Sequence, residues 1–432
     1  MERRLNAELW DKMHYLFRDF NDRMVHAELH YDFEIDIDIL KTVILCFFEK
    51  APVFHSSFTD NHISPYWTVK DYNINNVVHA YQVSEEELAD KIDEFLCQYI
   101  PPEADIQMQV AVFYHGGKST LCIVENHMCM DGGDFKYFLK AFCANYNAYA
   151  TQKISPINFR TGSRAYTQVY EDFTAGEKKM AKSLYKNINS ADNHGFPFTP
   201  DNIADKSFIA RRKISAETFD KIHSAGKKRG ATINDMLLTA YFYALYELAG
   251  FNPLESVSIS CAIDLRRHMK NNDDNGVTNQ TAWMQCKIPE RGQDIFKTLE
   301  YVVASSNQFK SDRFMGLHGL PLLSLGYKIL PHAASEEIIK IGYSNPLLAM
   351  SNIGILEVDK LALTDGSTTH EPLDGFMSGA VKYKPYALLS ATSIRKEITL
   401  SMCVKGNDED KKIVEHFFDL IEGAINLLIQ GE

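Results

Sequence analysis

Apolar positions along the chain fall into short runs and helical stripes that alternate without a regular strand–helix–strand rhythm. Val25 to Phe33 reads as a strand. Asp36 or Asp38 then caps a helix through Phe48, with Ile39, Leu40, Val43, Ile44 and Phe47 on its apolar face. That helix ends at Ala51-Pro52, because the residue before proline avoids the α region. Ile106 to Tyr114 and Ser119 to Asn126 flank His115-Gly116-Gly117-Lys118, which is a hairpin signature. Asp134 is placed to cap a following helix that carries Phe135, Phe138, Leu139 and Phe142. From about Phe173 to Lys206 the chain turns polar and reads as a crossover. Thr232-Ile233-Asn234-Asp235 resembles a capping box ahead of a helix bearing Met236, Leu237, Ala240, Ala244, Leu245 and Leu248. A strand from Ser256 to Ile263 runs into Asp264-Leu265-Arg266. Tyr386 to Ser393 and Ile398 to Val404 read as strands before a C-terminal amphipathic helix from Asp410. The pattern predicts a mixed α/β chain in two lobes, 1–175 and 206–432, joined by a linker over 176–205.

Composition narrows the function classes. Lys+Arg 45 against Asp+Glu 57 leaves a net charge of −12 with no basic block, a poor match to nucleic acid or an anionic membrane. The eight cysteines are scattered with no Cys-x-x-Cys pair, so neither a metal site nor a disulfide framework is expected. The N-terminal residues lack a signal-peptide core, and the longest apolar stretch, Met236 to Phe251, is too short to span a bilayer. A cytoplasmic location with reduced thiols is the expectation.

Chemistry concentrates in His127-Met128-Cys129-Met130-Asp131-Gly132-Gly133, where an apolar strand ends and a helix is about to begin. An imidazole on such a rigid strand end can act as a general base near neutral pH, and the glycines let another group come close. With 15 histidines, about 0.1 chance matches to His-x-x-x-Asp-Gly are expected, yet a second occurs at His370 to Gly375. His370 lies in a polar loop beside Pro372, so context favours His127. Plainer roles stand beside each of these: His127 as a core histidine, Asp131 as a helix cap, Cys129 as packing rather than a nucleophile. Gly226 to Gly230, with Lys227, Lys228 and Arg229, reads as a solvated charge run ahead of a phosphate site. Gly319 to Tyr327 reads as core ahead of a lipid-accepting mouth.

The first motif resembles that of the chloramphenicol-acetyltransferase-like acyltransferases, above all nonribosomal-peptide condensation domains and stand-alone alcohol acyltransferases. Asp38 to Phe58, Gly230 to Asp235, Asp264-Leu265-Arg266-Arg267 and Ser351-Asn352-Ile353-Gly354 are similar to further family segments. Ala51-Pro52-Val53-Phe54-His55 departs from the family's His-Pro-x-Leu-Arg pattern, and the Asp-Phe-Gly-Trp-Gly signature of plant-type relatives is absent. The resemblance implies a two-lobed sandwich of mixed sheets flanked by helices, with an active-site tunnel between the lobes. It implies His127 as the base in a catalytic set with Asp131 and Gly132, and a structural pairing of Asp131 with Arg266. Ser351 and Asn352 become tunnel candidates. It implies no resident cofactor and no metal, with acyl-CoA or a phosphopantetheine thioester as co-substrate and a small-molecule acceptor. The function expected is a monomeric stand-alone acyltransferase acting on a hydroxyl or amine. The alternatives are a condensation enzyme served by a separate carrier protein, and a non-catalytic ligand-binding relative.

Overall fold

The computed structural model describes residues 3–153, 158–185, 192–200, 206–271, 275–342 and 346–430. Two sheets organise them. The first has five strands in the order Asp374–Ser378, Met24–Tyr31, Lys118–Asn126, Met108–His115, Val78–Gln82. Lys118–Asn126, near its centre, is buried on both faces: Leu121 and Ile123 enter one apolar core, Cys122 and Val124 another. The helices Ile37–Lys50 and Gly132–Ala150 cover the first face. The hairpin lies where the sequence predicts it, and Gly116 and Gly117 take φ +54° and +78°, the left-handed pair that a two-residue turn between twisted strands requires.

The second sheet runs Thr281–Ile288, Val257–Asp264, Leu348–Leu356, Ala387–Ile394, Glu397–Gly406, and Glu397–Gly406 pairs further with Lys382–Tyr383 and Lys206–Ile214. Its core is built with the helices Ile233–Ala249, Ile295–Lys310 and Asp408–Gln430. The expected capping box is formed: Thr232 Oγ1 accepts from the Asp235 backbone, and Asp235 accepts from the Thr232 backbone. Mixed sheets flanked by helices therefore describe the architecture, as the resemblance implies.

Three features differ from the sequence-based expectation. The cap of Gly132–Ala150 is Asp131, whose Oδ1 accepts from the Asp134 backbone; Asp134 lies one turn inside and is buried. The polar crossover contains the helix Ala175–Ala181, closed by a Thr174/Glu177 capping box, while 186–191 and 201–205 lie outside the described residues. The basic strand Lys206–Ile214 escapes apolar periodicity because its charges pair outward: Arg211 with Asp93, Arg212 with Asp419 and Glu422, Lys213 with Asp374.

The two halves also exchange material. Asp374–Ser378 from the second half completes the first sheet by pairing with Met24–Tyr31. Ile209 and Cys403 of the second half share a core with Met24, Phe113 and Val124 of the first.

Candidate active site

His127 follows the last residue of Lys118–Asn126 and is fixed through its backbone. Its N–H donates to the Arg23 carbonyl at 2.8 Å, and its own carbonyl accepts from Asn279 Nδ2 at 2.7 Å. Asn126 turns the chain by accepting from the Met128 backbone at 3.1 Å and from the Cys129 backbone at 2.8 Å. Arg164 donates to the carbonyls of Met128 and Cys129 and is held by both oxygens of Asp11. A loop clamped at so many backbone atoms presents its imidazole in one orientation.

The tautomer follows from Asn279. Its Nδ2 is committed to the His127 carbonyl, so the Oδ1 that lies 3.0 Å from His127 Nδ1 is an acceptor. Nδ1 therefore carries the proton and Nε2 keeps its lone pair. Burial lowers the His127 pKa from its ordinary 6.5, against the opposing pull of Asp131, so the ring is neutral near pH 7. His14 stacks on it, centroids 4.2 Å apart and rings inclined at 27°. Burial, then the charge of a protonated His127 and of Lys382, holds His14 well below 6.5.

Asp131 is occupied otherwise. Arg266 Nη1 donates to its two oxygens at 3.0 and 2.9 Å, the Gln280 backbone donates at 2.6 Å and Thr281 Oγ1 at 3.1 Å. Burial opposes its charge, but Arg266 and these hydrogen bonds hold the carboxyl below its ordinary value. Arg266 also reaches Asp134 at 3.0 Å, and Arg160 pairs with Asp134, giving a buried lattice of two carboxylates and two guanidiniums. Gly133 is what lets this close: a Cβ there would meet Arg266 Nη1 at 2.9 Å.

A cavity of ≈ 270 Å³ opens on His127 and is lined from both halves, by Trp10, His14, Gly132 and Lys136 and by Ser351 and Asn352 among others. The structure thus brings His127, Asp131, Gly132, Ser351 and Asn352 to one cavity, with Arg266 behind Asp131. A second cavity of ≈ 330 Å³ has Arg3, Glu8, Lys50 and Arg164 in its wall and no residue of the His127–Gly133 loop.

Other candidates lie elsewhere. Cys129 is fully buried, its thiol 3.8 Å from the Val53 carbonyl and its pKa pushed far up by burial, so it packs and is no thiolate. His370 bonds to Asp32 at 2.7 Å and stacks on Phe33, away from the cavity. Lys227 and Lys228 close the helix Ala216–Lys228, and Arg229 stacks on Phe296; none lines either cavity. Gly319 to Tyr327 opens the helix Leu320–Ile329, with Leu322 and Leu325 exposed. Sequence reasoning missed His14, Asn279, Arg160 and Arg164. The one local signal was the polar run Thr278-Asn279-Gln280 ahead of a strand, all three side chains being buried.

A family model described as "Condensation domain" matches residues 16–271. Bacitracin synthase 3 of Bacillus licheniformis is 20% identical over 348 residues, 78% of this chain but only 5% of that relative's length. Among solved structures, the TRI3 trichothecene 15-O-acetyltransferase of Fusarium sporotrichioides is similar with TM-score 0.69 and 13% identity, over 98% of this chain and 95% of that one. The first condensation domain of the calcium-dependent antibiotic synthetase is similar with TM-score 0.69 and 12% identity, over 99% and 96%.

Proposed function

The chain belongs to the condensation-domain family, and we propose that it works as a stand-alone acyltransferase moving an acyl group from a thioester to a hydroxyl or amine. The observation that carries this is the neutral His127, its Nε2 unprotonated at a cavity wall while Asp131 is consumed by Arg266. Nε2 takes the proton of the acceptor as its oxygen or nitrogen attacks the thioester carbonyl. The tetrahedral intermediate then collapses and expels the thiolate, which receives the proton from His127. General-base catalysis of this kind contributes roughly 10²–10⁴-fold, and holding both substrates beside His127 contributes through positioning.

Family membership favours a second reading for the donor, a thioester on a separate carrier protein. Incubating the protein with acyl-CoA or with a pantetheine-loaded carrier, and following products by mass spectrometry, separates the two. Transfer from neither donor contradicts the proposal.

A further inference from the structure

Lys382 stands on the cavity wall formed by Gly379, Ala380 and Lys382, tied through its backbone to Val404 and Asn21. Its ammonium has no hydrogen bond or ion pair with any described residue. The other lysine of the cavity differs: Lys136 donates to the Ile353 carbonyl and feels Asp264, Glu357 and Asp131.

The carboxylate that acts on Lys382 is Asp22, and it is poorly placed to neutralise it. Asp22 is buried, accepts from the backbones of Met24 and Val381 at 2.9 and 3.0 Å, and is shared with Arg23. Burial raises its pKa to about 7, so near neutrality its charge is incomplete. Arg23 is itself buried, bonds through Nη2 to the Tyr99 hydroxyl at 2.7 Å, and leaves Nε and Nη1 without acceptors among the described residues. Two cations thus share one partly protonated carboxylate beside His127 and His14. Burial lowers the Lys382 pKa to about 8, which still leaves most of it charged at pH 7. A partly buried cation without a counter-ion is costly.

We propose that Lys382 binds a carboxylate carried by a substrate. This rests on the acyl-transfer reading of the same cavity. One ammonium matches one negative charge, and the phosphates of coenzyme A stand a pantetheine arm away from the thioester, too far to serve beside His127. The carboxylate has two sources: a free acid group on the acceptor, or the distal carboxyl of a dicarboxylic acyl donor. An acceptor tethered to a carrier through its own carboxyl has none to offer.

The full chain is titrated at pH 7 with 3-phenylpropionate and with its neutral amide, read through the fluorescence of the cavity residues Trp10 and Trp283. The acid binds about tenfold more tightly than the amide, as expected for a charge-assisted contact. Lys382→Met abolishes the preference without loss of amide binding, and Lys382→Arg restores it. Equal binding by the wild type, no saturable binding of the acid, or a preference that survives Lys382→Met overturns the proposal. Transfer assays with succinyl-CoA against butyryl-CoA, and with phenylalanine against phenylalaninamide, locate the source: Lys382→Met raises KM for the acidic member of one pair and not for its neutral counterpart. Loss of acid preference in Lys382→Met with no transfer from any donor supports the anion site and contradicts the acyltransferase reading. His127-dependent transfer without charge preference does the reverse.

Discussion

Asp131 and His127 lie four residues apart and receive opposite treatment from the fold, which is what separates base from scaffold. The carboxylate is given a guanidinium and three hydrogen-bond donors; the imidazole is given a carbonyl-type acceptor and burial. A base that must be neutral to work loses activity only where it becomes protonated. The account predicts kcat/KM to be level across neutral pH and to fall on the acid side with a midpoint below 6.5. Asp131 raises the His127 pKa, so Asp131→Asn shifts that limb further toward acid, and a shift toward alkali contradicts the assignment. Arg266→Ala strands the buried Asp131 carboxylate, at a cost of about 3–5 kcal/mol, whereas Asp131→Asn leaves Arg266 paired with Asp134 and Asp264 and should cost less. Because either change breaks the same pair, thermal melts of the double variant should show no more loss than the poorer single; additive losses would mean the pair is not coupled. Asn279→Ala removes both the acceptor on Nδ1 and the donor to the His127 carbonyl, so transfer and melting temperature should both fall, and undiminished transfer in the folded variant would contradict the tautomer assignment.

The unit that delivers these residues is a strand, a clamped loop and a helix, and its legibility in the sequence was uneven. The apolar run to Asn126 and the stripe Phe135, Phe138, Leu139, Phe142 placed the loop because burial on a sheet and on a helix leaves periodic traces. The sequence offers two caps, Asp134 and Asp131, which residue type does not separate, and the structure takes Asp131. Asp131 stands at the start of the helix, while Asp134, one turn inside, is held by Arg160 and Arg266. His14 and Asn279 left no readable trace, because they reach His127 from distant segments and no local period encodes such a meeting. Lys206–Ile214 leaves little apolar trace for a related reason: it is held by its pairing with Glu397–Gly406, and the charges that break its pattern find partners on other elements. The glycines of the loop are not equivalent. Gly133→Ala places a methyl 2.9 Å from Arg266 Nη1 and should lower the melting temperature, whereas a Cβ on Gly132 meets no atom within 4 Å and should leave it unchanged.

At the scale of the molecule, the cavity exists only while both halves are in register, and the chain ties them three ways. Arg266 crosses to Asp131, Asp374–Ser378 completes the first sheet, and one apolar core spans Ile209, Cys403 and Val124. Calorimetry should therefore show one unfolding transition for the whole chain, and two separated transitions would contradict that coupling. Within this frame the central claim is that one neutral imidazole performs the transfer. It is tested most directly by the single-turnover rate of acyl transfer in His127→Ala against wild type, with His370→Ala as a folded control carrying the second copy of the motif. The account predicts a loss of about two or more orders of magnitude for His127→Ala and near wild-type rates for His370→Ala. Comparable loss in both variants, or retained transfer in a folded His127→Ala, would contradict it.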